Sequence, residues 1–240
     1  MSEHISRKEL KQDKIKETIE HGAEAVISHG QFTLIVVIVI LAVALGYGGW
    51  RFYIDRQTLA ASAEFDVGMK AYQGHISAVP DPADPSQAFY SDESARAQDA
   101  MQKFLKVADK YPSTNPGKLA RYYAALCLED LERHNQALEE FKKISGSGDR
   151  ELAAMAQYQT ATIYSRTGKT DDAVKIFRAL ADKQSALVPR PLVLLELAGI
   201  LRSSNPKEAI SIYQQIKKEF PDTAIADQAD RGLDFLSPKS

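Results

Sequence analysis

The sequence predicts an all-α protein: one apolar helix able to cross a membrane, then an α-solenoid of about four helix pairs closed by a C-terminal capping helix. Three observations predict it. Gly30 to Trp50 form a run of 21 residues with no charge between His29 and Arg51. A pattern of alanine, aromatic and aliphatic residues recurs every 36 or 37 positions along the rest of the chain. Short stretches of turn-forming residues separate the helical segments.

The head, residues 1–29, has helix character of its own. Ser6 with Glu9 three residues later has the form of a capping box, and Ile15, Ile19 and Val26 then share one face. That face suits a partner helix or the membrane surface, but Glu17, Glu20 and Glu24 disfavour anionic lipid and leave a short solvated helix as the simpler reading.

The apolar run comes next, assigned as a transmembrane helix over residues 30–50. At about 1.5 Å per residue it reaches roughly 30 Å, the hydrocarbon thickness of a bilayer. Leu34 to Leu45 are aliphatic on every side, so there is no polar stripe of the kind a helix shows when it packs on a soluble core. Arg7, Lys8, Lys11, Lys14 and Lys16 precede the run, whereas only Arg51 and Arg56 follow closely. Basic residues favour the cytoplasmic side, which puts the N-terminus in the cytoplasm and residues 51–240 across the inner membrane, in the periplasm of a diderm bacterium. Trp50, Arg51, Phe52 and Tyr53 stand where membrane-interface anchors are expected.

A cleavable signal peptide competes with this reading, because Ala42-Val43-Ala44 has the small-x-small form of a cleavage site. Against it, the polar head is long and holds at least as many acids as bases, and apolar residues continue past the site. Cleavage near Ala44 would leave a soluble periplasmic repeat protein. A lipid-anchored form is excluded, since Cys127 is the only cysteine and lies deep in the sequence.

Composition narrows the function classes. The net charge is −2, and 25 basic against 26 acidic residues follow Trp50, so no basic excess points to nucleic acid. One cysteine excludes an internal disulfide framework and a cysteine-based metal site.

The repeats begin after Asp55. Ala100/Phe104/Val107, Ala137/Phe141/Ile144, Ala173/Phe177/Leu180 and Ala209/Tyr213/Ile216 share one spacing, and Ala125, Ala161 and Ala198 stand 11 or 12 residues before their partners on a preceding helix. Short side chains let two antiparallel helices approach, and the facing aromatic fills the space left. A single pair cannot bury its apolar face, so stacking must make one continuous core. Ala226, Ala229, Leu233 and Leu236 form a stripe on a last helix, about 224–235, that would cap the open end. The first pair is interrupted at about 76–92 by a loop containing Pro80-Asp81-Pro82-Ala83-Asp84-Pro85, which fits neither helix nor central strand. Asp81 and Asp84 alone are too few ligands for a cation.

No catalytic constellation is found. His4, His21, His29, His75 and His134 are scattered, and there is no phosphate-binding glycine loop. No enzyme activity, metal or cofactor is expected, and Cys127, among Ala124, Ala125 and Leu128, reads as a small buried hydrophobe.

The repeat pattern resembles the tetratricopeptide repeat, whose helix pairs carry small residues at the eighth and twentieth positions, an aromatic at the twenty-fourth and often a proline near the thirty-second. Pro112 and Pro221 stand where that proline belongs, and Gly68 fits the small residue of the first unit. The third unit departs, with Ser185 at the position and Pro189 four residues later, which predicts a longer linker. The resemblance implies that first helices line a concave groove through their second, fifth and ninth positions. Those residues are Phe65 and Met69; Leu119, Tyr122 and Leu126; Met155, Tyr158 and Thr162; and Leu192, Leu195 and Gly199. The row is apolar and aromatic where a carboxylate-clamp repeat would carry lysine and asparagine. Two readings stay open: a groove for apolar segments of other polypeptides, or packing of Tyr122 and Tyr158 on their neighbours.

The order of parts, with Gly49, Trp50 and Arg51 at the end of the span, is similar to the YfgM-like family of ancillary SecYEG translocon subunits. Membership would imply contact with Sec translocon subunits, with a membrane-anchored periplasmic chaperone of the PpiD type and with emerging polypeptides. A scaffold for envelope assembly or cell division is the alternative.

Overall fold

The computed structural model describes residues 30–77, 88–183 and 185–237. The helix expected from Ser6 and the Pro-Asp segment at 80–85 lie outside the described residues. Among those described there are nine helices and two short strands: α1 (Gly30–Tyr72), β1 (His75–Ile76), β2 (Phe89–Tyr90), α2 (Glu93–Lys110), α3 (Asn115–Asp130), α4 (His134–Ser145), α5 (Arg150–Arg166), α6 (Thr170–Ala181), α7 (Arg190–Ser204), α8 (Pro206–Glu219) and α9 (Ala224–Leu236). The protein forms two compact units, Met1–Arg56 and Gln57–Ser240, and the division falls inside α1.

In the first unit α1 exposes its aliphatic side chains, including Leu34, Ile38, Leu41 and Leu45, all round the helix. This helix is long and apolar enough to cross a membrane. Helical structure does not stop at Trp50, where the apolar run ends; it continues to Tyr72. Residues 51–67 contain neither glycine nor proline, so nothing in the backbone chemistry breaks the helix there.

The second unit is the solenoid, with a first (A) and second (B) helix in each repeat. The A helices are the last part of α1, then α3, α5 and α7; the B helices are α2, α4, α6 and α8. Ala100, Ala137, Ala173 and Ala209 are fully buried, as are Ala125, Ala161 and Ala198. Phe104, Phe141 and Phe177 have no exposed surface, and Tyr213 takes the same place in the fourth repeat. In the first repeat the small residue is Gly68, where an added Cβ would lie 2.6 Å from Phe104 Cε1. Helix α9 closes the stack through Ala226, Ala229 and Gly232, with Leu233 and Leu236 half-buried beside them.

Two turns share the form aromatic-Pro-x-Thr. After α2, Thr114 Oγ1 donates to Tyr111 O at 3.0 Å and accepts from Gly117 N at 3.1 Å. After α8, Thr223 Oγ1 does the same with Phe220 O at 2.7 Å and Ala226 N at 3.2 Å. Both threonines are N-caps of A-type helices. At the start of α5 Asp149 takes this role, accepting from Leu152 N at 3.0 Å. Asp149→Ala is expected to cost about 1 kcal/mol, read as a lowered thermal midpoint.

The third linker, between Ala181 and Arg190, is longer than the four-residue turns before α3 and α9. Its proline, Pro189, stands only at the far end as the N-cap of α7, and the stretch before it is held by Glu151, whose carboxylate accepts from Ser185 Oγ at 2.6 Å, Ala186 N at 2.9 Å and Leu187 N at 3.2 Å. The Ser185 hydroxyl and these amides keep the Glu151 carboxyl below its ordinary 4.5. A lowered folded pKa means that the stabilisation is present above pH 4.5 and fades as pH falls through the folded value. Hydrogen exchange should therefore show Ala186 and Leu187 protected at neutral pH, losing protection below pH 4.5 before the helices do.

Strands β1 and β2 have no counterpart in the residue pattern. They pair in parallel, His75 with Phe89 and Ile76 with Tyr90, and close the base of the loop expected at 76–92. Two residues per strand are too few to show alternation. Tyr90 fixes the pair to α2 by donating to Asp99, which also holds Lys103.

Candidate protein-binding groove

In each repeat the A helix must give one edge to its B partner and another to the next A helix, and the residues left over form the candidate groove. Phe65 and Met69 are half-buried at its start. The Phe65 ring lies 5.5 Å from Phe104 and 5.8 Å from Tyr123, and Tyr123 in turn stacks on Phe104 at 5.4 Å. Leu119 and Leu126 on α3 are half-buried, as are Met155 on α5 and Leu192 and Leu195 on α7. Thr162 and Gly199 complete the row, also half-buried.

The two tyrosines differ. Tyr122 is only 6 % exposed, with its ring edge-on to Phe141 at 5.7 Å, so its body belongs to the core. Its hydroxyl accepts from Gln159 Nε2 at 3.2 Å. Tyr158 is half-buried and edge-on to Phe177 at 5.6 Å, and its hydroxyl donates to Glu196 Oε1 at 3.3 Å. Burial raises both phenols above their ordinary range, and the Glu196 carboxylate adds to the rise at Tyr158. Both hydroxyls therefore stay neutral at physiological pH.

These bonds join successive A helices one repeat apart, and Arg166 Nη1 to Glu129 Oε2 at 3.2 Å is a third of the same span. The groove thus has an apolar row with a polar seam beside it. Gln159 and Glu196 escape a reading that counts apolar positions. Each directly follows a fifth-position residue, Tyr158 or Leu195, and that register is the signal that could have found them.

Cys127 is buried on α3, and burial, with the nearby Asp130, pushes its thiol up to about 12. It has no thiolate to offer at neutral pH. Among the described residues no group of three or more His, Cys, Asp or Glu is placed to hold a metal ion.

The helix pairs and their buried alanine-aromatic contacts are matched by two family models. A tetratricopeptide repeat-like domain matches residues 27–187, and a tetratricopeptide repeat matches residues 158–224. The protein belongs to the tetratricopeptide repeat-like family. Its tetratricopeptide fold is similar to the crystal structure of a Podosopora anserina kinesin light chain with nearly identical TPR-like repeats. Identity is 11%, 73% of the present sequence and 84% of that structure are covered, and the TM-score is 0.54. A single-substitution variant of that structure matches equally, with 11% identity and a TM-score of 0.54. No curated protein matches the sequence. Tetratricopeptide domains are protein-interaction modules, and in this one α1, α3, α5 and α7 supply the first helices of four repeats, while α9 takes the place of a fifth.

Proposed function

We propose that this tetratricopeptide protein is a non-enzymatic, membrane-anchored binding module that assists polypeptides at the Sec translocon on the periplasmic face of the inner membrane. The observation that carries the reading is the half-buried apolar row on successive A helices, in a protein that also has a helix able to cross a membrane. The similarity of Gly49-Trp50-Arg51 and the order of parts to YfgM-like translocon subunits supports this partner over other envelope assemblies. The span passes the bilayer once, with the N-terminus in the cytoplasm, and Trp50, Arg51, Phe52 and Tyr53 sit among the headgroups. Arg56 lies 5.0 Å over the Phe52 ring, a pairing suited to that amphipathic layer.

Anchoring raises the local concentration of the groove beside the channel exit, so weak contacts suffice. Each apolar side chain of a client buried there contributes about 1.5–3 kcal/mol before ordering costs. Emerging polypeptides fill the groove, and a PpiD-type chaperone and translocon subunits hold the protein in place. The test is a photo-reactive residue at Trp50 or Phe52 in the full-length protein in membranes. Adducts with a translocon subunit are expected, and adducts only with cell-division or envelope-assembly proteins would overturn the assignment.

A further inference from the structure

The C-terminal end of the groove opens into a cleft of about 380 Å³ between α7 and α9, within the size range of small-ligand sites. Its apolar wall includes Leu195 and the exposed ring of Phe235. Gly199 leaves the wall open, because nothing lies within 4 Å of where its Cβ would point. Gly232 presses on Tyr213, and an added Cβ there would lie 2.4 Å from Tyr213 Cζ.

The polar groups of this cleft are mostly donors. Arg202 and Arg231 line it, and neither is in an ion pair among the described residues. The Arg202 guanidinium lies 5.2 Å over the Phe235 ring, and its Nε reaches Gly199 O at 3.3 Å, leaving the outer nitrogens unengaged. Gln228 adds an amide. Tyr213 is 3 % exposed and lines the same cleft, yet its hydroxyl makes no hydrogen bond within the described residues. The hydroxyl is the part of this ring that reaches the cleft, where beside two cations it can meet an acceptor. Glu196 is the one acid lining the cleft, and it already accepts from Tyr158.

We infer that this cleft binds a carboxylate carried next to a large apolar side chain on a polypeptide partner. Arg202, Arg231 and the Tyr213 hydroxyl hold the carboxylate, while Leu195 and Phe235 take the side chain. The inference rests on the groove reading and adds a charge requirement at one end of it. The carboxylate comes either from an aspartate or glutamate or from a free C-terminus, since both present the same acceptor.

Three labelled peptides of one apolar-aromatic sequence separate these cases by fluorescence anisotropy on the full-length protein in detergent. One ends in a free carboxylate, one is amidated with an internal aspartate, and one is amidated with asparagine in its place. At least one acidic peptide should bind on the order of tenfold more tightly than the neutral one, the worth of a charge-assisted contact. The tighter of the two acids identifies the source. Arg202→Gln with Arg231→Gln should erase that preference and leave the neutral peptide unchanged, and Tyr213→Phe, which keeps the ring, should weaken the acidic peptide several-fold. If all three peptides bind alike, or the preference survives the double substitution, the carboxylate site is wrong and the groove stands. If none binds, both are wrong.

Discussion

Phe104→Ala is expected to destabilise the solenoid by about 3–5 kcal/mol, the cost of truncating a fully buried aromatic. Phe104 has no exposed surface and lies 5.5 Å from Phe65, 6.3 Å from Tyr72 and 5.4 Å from Tyr123. These rings come from α1 and α3, so one side chain on α2 joins the first repeat to the second. Gly68 has no side chain with which to fill the space, because its backbone already touches the Phe104 ring. A repeat array is stabilised mainly by nearest-neighbour interfaces, and the damage should therefore concentrate in the first repeat. Hydrogen exchange on the full-length protein should show protection lost first in residues 57–72 and α2, with α7 to α9 retained. Phe104→Leu, which keeps much of the volume, should cost clearly less.

Gly117→Ala is expected to lower stability by about 2–3 kcal/mol, although helix propensity alone would forecast a gain of about 1 kcal/mol. Gly117 lies in the first turn of α3, and its Cβ would stand 1.9 Å from Tyr111 O and 2.7 Å from Tyr111 C. Those are backbone atoms of the aromatic-Pro-x-Thr turn, so no rotamer change relieves the clash. Thr114, which is 2 % exposed, holds that turn in place by bonding both Tyr111 O and Gly117 N. Ala226 sits at the equivalent place after the second such turn and is tolerated there. Thermal unfolding of Gly117→Ala decides the sign, and a raised midpoint would show that the turn can open to admit a methyl group.

The repeat scaffold was legible because its chemistry is periodic. A short side chain facing an aromatic is needed in every helix pair, and Ala137 with Phe141 and Ala173 with Phe177 state that need at constant spacing. The end of the first helix was not legible, since hydropathy falls at Trp50 while helix-forming residues continue to Tyr72. Nor were β1 and β2, whose pairing depends on backbone groups brought together by a long insertion. Within the groove, counting positions placed Tyr122 and Tyr158 on one row but could not weigh their burial. That depends on how far each ring tips toward the B helix, and Tyr122 tips into the core beside Phe141. Tyr123 escaped notice for the converse reason, as it lies off the counted positions yet joins the rings of Phe65, Tyr72 and Phe104.

Site-specific photo-cross-linking in the membrane tests most directly, and without altering the core, whether the apolar row on the A helices holds other polypeptides. A photo-reactive residue is placed in turn at Leu126, Leu192 and Leu195 in the groove, and at Asp172 and Lys175, which are exposed on α6. With a secretory polypeptide arrested in the translocon, adducts to that polypeptide are expected from the groove positions and none from α6. Adducts from α6 alone, equal adducts from both faces, or no adducts from any position would contradict binding in the groove.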